Sequence, residues 1–306
     1  MMAGSMITIL GPTASGKTTV AAKLAALIDG EVISADSRQV YRGMDLGTGK
    51  DYDDYTVDGI RIPYYLVDIR DAGYEYSIFE FRRDFLNAYK DILTREKRPV
   101  LCGGSGMYLE TVLGGYAMAD VPNNAMLRQS LASMSDEALI AHLSSLKKLH
   151  STTDTSDRER MYRAIEIEEF HHAHPEKVKR QPGIESTIFG IGRNRNVLRE
   201  RITKRLQQRL DNGMIDEVRT LLNSGLAPAR LKTYGLEYKY LTMFVNGEIE
   251  FDEMFRLLNT AIHQFAKRQM TWFRRMERNG YLIHWLDGSL PADELASQII
   301  SISGIK

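Results

Sequence analysis

Gly11-Pro12-Thr13-Ala14-Ser15-Gly16-Lys17-Thr18 fits the spacing G-x-x-x-x-G-K-[ST] and follows directly on the apolar run Met6-Ile7-Thr8-Ile9-Leu10. Between a strand and a helix, such a loop turns backbone N–H groups onto phosphate oxygens, and the helix N-terminus adds its positive dipole end. Lys17 would bring a charge to the terminal phosphate, and Thr18 a hydroxyl to Mg²⁺. The pattern asks for a polyphosphate without saying whether it belongs to a nucleotide. Asp36, in Asp36-Ser37-Arg38-Gln39-Val40-Tyr41, follows a second short apolar run. A carboxylate at a strand end there acts as a general base or holds Mg²⁺ through water, the alternative being a cap for the next helix. Gly103-Gly104-Ser105 closes another strand where many phosphate-loop ATPases carry an acidic metal ligand; here a hydroxyl and close backbone approach replace the acid. Asp68 could supply that acid or be a turn residue. Arg201, Arg205 and Arg209 recur one helical turn apart, a guanidinium face suited to a polyanion or to solvent and pairing with Asp211 or Glu217.

The elements that must carry these residues alternate. A helix follows the loop from Thr19 to Leu27, Glu31-Val32-Ile33-Ser34 is a strand, and Tyr64 to Asp68 another. Ile78 to Arg95 is an amphipathic helix, Arg98 to Cys102 a strand, and Met107 to Leu113 a helix. This βαβ order predicts an α/β fold with a parallel sheet flanked by helices, whose sites lie beyond the carboxyl ends of the strands. From about Asp120 to Pro182 the periodicity is helical with no strand, over 124–133, 136–148 and 158–171. The expected division is therefore a catalytic core of residues 1–119 and 183–306 with a helical insertion domain of 120–182. Glu185 to Gly192 restores a strand, helices follow over 196–212, 215–223 and 252–278, and Tyr281 to Leu286 is the last strand.

Forty basic and forty acidic residues balance over 306. Basic residues nevertheless gather in the second half, in Lys177, Lys179 and Arg180, from Arg193 to Arg209, and from Lys267 to Arg278; a basic face rather than net charge sets attraction to phosphates. Cys102 is the single cysteine, which excludes intrachain disulfides and a four-cysteine zinc site and points to a reducing, cytoplasmic setting. No apolar run is long enough to cross a bilayer. His171-His172-Ala173-His174 lacks companion ligands at metal spacing and reads as a polar helix end. Trp272-Phe273 either stacks on bases or packs a helix on the core.

Taken together, these motifs resemble the tRNA dimethylallyltransferases, also called tRNA isopentenyltransferases. The matching stretches are Gly11 to Thr18, Asp36 to Tyr41 with Gly43-Met44-Asp45-Leu46-Gly47-Thr48, Gly103 to Tyr108, Arg158 to Glu166, and Ala266-Lys267-Arg268-Gln269-Met270-Thr271-Trp272-Phe273-Arg274. They run in the family's order across nearly the whole chain. The resemblance implies a fold like that of the P-loop NTPases and a cytoplasmic, bacterial-type, monomeric enzyme with no membrane association. It implies Mg²⁺-dependent transfer of a dimethylallyl group from dimethylallyl diphosphate to N6 of adenosine 37, beside the anticodon of tRNA. Residues Gly11, Pro12, Thr13, Ala14, Ser15, Gly16, Lys17 and Thr18 would hold the diphosphate, with Thr18 on Mg²⁺. Asp36 would take the N6 proton, and Arg201 or Arg205 would face the departing diphosphate. The adenine must leave its stack to react. The tRNA contacts implied are Asp36, Ser37, Arg38 and Gln39; Ser105 and Arg128; Glu159, Arg160, Met161, Tyr162 and Arg163, on the anticodon stem-loop; and Lys232, Thr233, Tyr234, Gly235, Leu236 and Glu237. Ser105 replaces a usual Thr, Gly47 to Lys50 carries a Gly where Ala is common, and Ile262-His263-Gln264-Phe265 replaces Thr-Arg-Gln-Tyr. A small-molecule or nucleoside kinase remains an alternative, as does a tRNA-binding homologue without activity.

Overall fold

Short apolar runs bounded by turn residues form one parallel sheet in the computed structural model, which describes residues 6–149, 155, 157–180 and 182–305. Along the first part of the chain come β1 (Met6–Leu10), α1 (Lys17–Leu27) and β2 (Gly30–Ser34), then a small antiparallel hairpin of β3 (Thr56–Val57) and β4 (Ile60–Arg61). Next are β5 (Tyr64–Tyr65), α2 (Ile78–Thr94), β6 (Arg98–Gly103) and α3 (Gly106–Glu110). The reciprocal hydrogen bonds of Ser77 and Glu80 fix the start of α2, with Glu80 N–H donating to Ser77 Oγ at 3.1 Å and Ser77 N–H to Glu80 Oε2 at 3.0 Å.

The expected strand Tyr64 to Asp68 is shorter than its apolar pattern. Only Tyr64 and Tyr65 pair, with Val32 and Ile33, because Leu66 and Asp68 adopt left-handed backbone angles (φ 63° and 57°) that leave the sheet. Asp68 is drawn down to the buried ammonium of Lys50 instead.

The chain divides into two compact units, Met1–Gly114 with Gly183–Lys306, and Gly115–Pro182. The smaller unit contains β7 (Ala117–Met118), α4 (Ala125–Ala132), α5 (Asp136–Leu146), α6 (Arg158–Ala173) and β8 (Lys179–Arg180). Its helices close around Leu131, Leu139, Leu143, Met161, Tyr162 and Ile165. Asn124, Ser135 and Asp157 cap them, each side chain accepting a backbone N–H of the first turn. The antiparallel pairing of β7 with β8 corrects the reading of this stretch as strand-free; two-residue strands carry no period a sequence can display.

The larger unit resumes with β9 (Ser186–Gly192), α7 (Arg195–Asp211), α8 (Met214–Asn223), the short α9 (Pro228–Leu231), α10 (Leu236–Val245), the long α11 (Phe251–Arg278), β10 (Ile283–Asp287) and α12 (Ala292–Ser303). The six-stranded sheet has the order β10-β9-β1-β6-β2-β5, all pairs parallel. Alternation along β1 divides the core. Ile7 and Ile9 pack toward Val20, Ala21 and Leu24 of α1 and Leu295 and Ile299 of α12, whereas Met6 and Leu10 join Phe81 and Phe85 of α2 and Phe273 and Met276 of α11. A third cluster binds α7, α8, α10 and α11 to Val40, Tyr41 and Met44. Register places Leu10 opposite Gly103 and Gly190, and Ser34 opposite Cys102. The Gly11 loop, the Ala35–Gln39 turn, Gly103–Ser105 and Arg193 therefore all leave the sheet at one edge.

Candidate active site at the carboxyl edge of the sheet

The Gly11–Thr18 loop is shaped by steric necessity. A Cβ on Gly11 would lie 2.9 Å from the Ile191 carbonyl and 2.7 Å from Ser15 Oγ. Ala14 and Gly16 take positive φ (62° and 93°) and wind the chain into the start of α1. This turns loop oxygens outward, where arginines meet them. Arg193 Nε donates to the Ser15 carbonyl at 2.9 Å, Arg201 Nε to the Ala14 carbonyl at 3.0 Å, and Arg205 to the Thr13 hydroxyl. The amides of Gly16, Lys17 and Thr18 have no hydrogen-bond partner among the described residues, as the first turn of a helix leaves them. Thr13 differs: its N–H donates to Gln269 Oε1 at 2.8 Å and is not open to a ligand.

Lys17, Thr18, Asp36, Gln39, Asp54 and Arg205 line one pocket with Thr13, Ala14 and Gly16. Burial is the largest influence on Lys17 and pulls its ammonium below the ordinary lysine value, against the opposing fields of Asp36 and Asp54. Arg205 is brought down to about 10, first by burial and then by the neighbouring Arg209. Arg201 is exposed and does not line the pocket. Of the two arginines left open by the sequence, Arg205 thus has the pocket position and Arg201 braces the loop from outside. Arg209, on the same helix face, is buried and paired to Asp51 at 3.0 Å, so the third guanidinium is neither solvated nor joined to Asp211 or Glu217.

Asp36 Oδ1 accepts the Arg38 N–H at 3.0 Å, a turn rather than a helix cap; its other oxygen has no partner among the described residues. Ser105 Oγ accepts the Ser37 N–H at 3.2 Å, and Ser105 N–H donates to the Ala35 carbonyl at 3.3 Å. The glycines before it have steric reasons. A Cβ on Gly103 would lie 2.2 Å from the Ala35 carbonyl, and one on Gly104 2.4 Å from Gln269 Nε2. Gln39 is fixed by Ser34 Oγ at 3.0 Å and by donation to the Gly49 carbonyl at 3.1 Å. Asp54 accepts from Thr19 Oγ1 at 2.9 Å and is raised above the usual carboxylate range, chiefly by burial. Cys102 lies beneath the loop, its thiol donating to the Lys17 carbonyl at 3.7 Å and pushed up to about 12 by burial. That makes it a small buried hydrophobe, not a nucleophile.

The pocket's outer wall, Gly43 to Lys50, is anchored by charge. Glu217 accepts the N–H groups of Asp45, Leu46 and Gly47 at 2.8, 2.7 and 3.0 Å, and the Tyr238 hydroxyl at 2.6 Å. Lys50, with 1% of its side chain exposed, pairs with Asp45 at 2.9 Å and with Asp68, which also accepts from Tyr52 at 2.6 Å. Asp68 is therefore a structural anchor and not the acidic partner of the phosphate loop.

The other expected tRNA residues lie in two places. Lys232 pairs with Glu248 at 2.6 Å, and the Thr233 carbonyl accepts from Arg38 at 3.0 Å. Tyr234 is buried edge-on against Tyr41, with its hydroxyl at 2.6 Å from the Gly73 N–H. Gly235 has a φ of 140° beside the Arg38 stem, Leu236 is half-buried, and burial raises Glu237 despite Arg209, Arg205 and Arg38 in its field. In the smaller unit, Glu166 accepts from Arg128 at 2.7 and 2.9 Å and from Arg163 at 3.2 Å. Glu159 and Arg160 are exposed. Met161 and Tyr162 are core residues, 1% and 7% exposed, so that stretch presents only part of itself outward.

Sequence reasoning assigned no role to Gln269, Asp54 or Arg193. The first lay inside a quoted signature, Asp54 within an acidic run, and Arg193 in a basic cluster; none had local spacing that gave it a role. Trp272 packs against Gly106, where a Cβ would lie 2.2 Å from the indole, and beneath Arg275 at 3.9 Å. His263 Nε2 is 3.3 Å from Thr203 Oγ1, whose proton goes to Asn259; its buried Nδ1 has no partner among the described residues, and burial lowers its pKa, consistent with a neutral ring.

Comparison with known proteins places the chain in a family. A family model described as IPP transferase matches residues 39–276, and one described as isopentenyl transferase matches residues 4–71. The tRNA dimethylallyltransferase 2 of Bacteroides fragilis is 58% identical over 289 residues, 94% of each chain. The tRNA dimethylallyltransferase 1 of Geotalea daltonii is 52% identical over 296 residues, 96% of this chain and 94% of the other. Among solved structures, the full-length tRNA isopentenylpyrophosphate transferase of Bacillus halodurans superposes with a TM-score of 0.70 at 30% identity, covering 98% of this chain and 95% of that one. A eukaryotic dimethylallyltransferase acting on tRNA shares the fold, with a TM-score of 0.77 at 21% identity over 98% of this chain and 79% of its own. On matches that span nearly its whole length, the chain belongs to the IPP transferase family, whose members include the tRNA dimethylallyltransferases.

Proposed function

We propose that this chain transfers a dimethylallyl group from dimethylallyl diphosphate to N6 of adenosine 37 of tRNA, releasing diphosphate. The observation that carries the reading is one pocket lined by a phosphate loop with its lysine, a second half-buried cation and a carboxylate with an unused oxygen: Lys17, Arg205 and Asp36. The free amides of Gly16, Lys17 and Thr18 receive the diphosphate with Lys17 and Arg205. As N6 attacks the allylic carbon, the carbon–oxygen bond to diphosphate breaks and Asp36 takes the N6 proton. Charge grows on the departing oxygens, and cations fixed in place stabilise it most there.

Mg²⁺ suits the donor set. Thr18, Asp36 and Asp54 offer only oxygens to the pocket, and among the described residues no group of three acidic, His or Cys ligands forms a metal cage. A hard cation would be held by these oxygens and, when bound, would help neutralise the leaving group. Ser37, Arg38, Gln39 and Ser105 surround Asp36 and are assigned to the target nucleotide. Arg128, Glu159, Arg160 and Arg163 supply tRNA contacts in the insertion, and Lys232 to Glu237 a further set in the core. The enzyme works as a cytoplasmic monomer on this reading.

The test is incubation with unmodified tRNA, Mg²⁺ and either labelled dimethylallyl diphosphate or γ-labelled ATP. Isoprenoid label on A37 is the expected result. Phosphate transfer to a small acceptor would overturn it in favour of a kinase, and tRNA binding without transfer in favour of a binding protein.

A further inference from the structure

Gln269 lies in the middle of α11, 7% exposed, and its carboxamide is used at both ends. Oε1 accepts the Thr13 N–H at 2.8 Å and Nε2 donates to the Gly104 carbonyl at 2.9 Å, joining segments 256 and 165 residues away from it. Space is committed to it as well: a Cβ on Gly104 would lie 2.4 Å from its Nε2 and 3.1 Å from the Gly11 carbonyl. Each end of this bridge continues. The Thr13 hydroxyl accepts from Arg205. Beyond Gly104, Ser105 holds the Ala35 carbonyl at 3.3 Å and the Ser37 N–H at 3.2 Å, the two residues flanking Asp36. Hydrogen bonds and three short covalent stretches, within Thr13, from Gly104 to Ser105 and from Ala35 or Ser37 to Asp36, therefore run from the pocket arginine to the pocket carboxylate, and Gln269 is the link that crosses from the donor loop to the acceptor loop.

We propose that Gln269 is a positioning residue that sets the registry between the phosphate loop and the Asp36 turn. The inference rests on the transferase reading above. In a displacement, the nucleophile, the allylic carbon and the leaving oxygen must line up, and an error near 1 Å costs roughly 100-fold in rate. A neutral carboxamide, or a protonated acid of the same length, accepts from one backbone and donates to the other at once, whereas a carboxylate only accepts and a thioether does not donate. The amides of Gly16, Lys17 and Thr18 and the Lys17 ammonium make no bond to Gln269, and Arg205 meets Thr13 at its hydroxyl rather than at the N–H that Gln269 takes. Loss of the link consequently falls more on kcat than on diphosphate binding.

The test compares Gln269→Met and Gln269→Glu with the wild type in single-turnover transfer, inorganic pyrophosphate binding and thermal unfolding. The expected result for Gln269→Met is a kcat about 30- to 100-fold lower with pyrophosphate affinity within about threefold. For Gln269→Glu, transfer relative to wild type should recover at least about tenfold as pH falls from about 7.5 to 5, because the protonated acid donates again. Taking the ratio to wild type removes the titration of Asp36, which both share. A Gln269→Met kcat within threefold of wild type overturns the proposal. So does a fall in pyrophosphate affinity equal to the fall in kcat, or a Gln269→Glu ratio flat with pH. A wild type that transfers no isoprenoid fails the underlying reading instead, before any variant is compared.

Discussion

Replacing Arg205 by Met should make the free protein more stable while removing its response to diphosphate. The guanidinium is held at about 10, well below the ordinary arginine value, first by burial and then by Arg209. At about 1.4 kcal/mol per pKa unit, that depression corresponds to a cost of about 3 kcal/mol for carrying the charge in the folded state. The sign follows from linkage: a folded-state pKa below the unfolded one means the native state binds the proton more weakly. The penalty is then fully present at neutral pH and disappears only as pH rises above about 10 toward the ordinary arginine range. Met keeps most of the stem volume and forfeits the hydrogen bond to Thr13, worth about 1 kcal/mol. The net is about 2 kcal/mol of added stability, or roughly 3 °C in Tm for a chain of this length. Thermal unfolding with and without inorganic pyrophosphate and Mg²⁺ reads both effects. Wild type should gain Tm with pyrophosphate, and Arg205→Met should start higher and gain little. Arg201→Met, altering an exposed side chain outside the pocket, should change the free protein far less. A free Arg205→Met that melts several degrees below wild type, yet gains as much from pyrophosphate, would refute the argument that this cation is strained to await an anion.

Other consequences are more direct. Asp36→Ala should lower kcat by about 10²- to 10⁴-fold while tRNA affinity stays within about tenfold; near-normal turnover in that variant removes Asp36 from the base role. Lys17 must be charged to hold diphosphate, and its pKa is lowered by burial, so kcat/KM for the donor should fall on an alkaline limb whose midpoint lies below 10.5. A midpoint at or above that ordinary value, measured over a donor pH profile, contradicts the assignment. Glu217→Ala leaves three backbone N–H groups and the Tyr238 hydroxyl without their acceptor, which should cost about 3 kcal/mol or more in chemical denaturation. An unchanged denaturation midpoint would mean that the Gly43–Lys50 wall is held by something else.

The parts of the site legible in advance are those whose requirements are local. The phosphate loop needs a glycine at 11, where a Cβ would collide, a glycine at 16, where φ is positive, and a lysine next to it, and all three demands fall within eight consecutive residues. Strands buried on both faces leave unbroken apolar runs, so β1, β2, β6 and β9 were readable. Tyr64 to Asp68 looked the same and was not a full strand, because the ammonium that draws Asp68 away comes from Lys50 and leaves no mark in the run itself. The choice between Arg201 and Arg205 was invisible for a related reason. Spacing by four puts both on one helix face, but one turn is about 5.4 Å of axis, and only the depth of the pocket along α7 decides which guanidinium reaches it. The same geometry limits what any contiguous stretch on a helix can do. Arg160 and Arg163 in α6 have exposed or half-exposed charge, while Met161 and Tyr162 between them turn into the small unit's core. A run of five consecutive helical residues spans more than one turn, so it cannot offer every side chain to one ligand; the core it must bury to exist takes its share first.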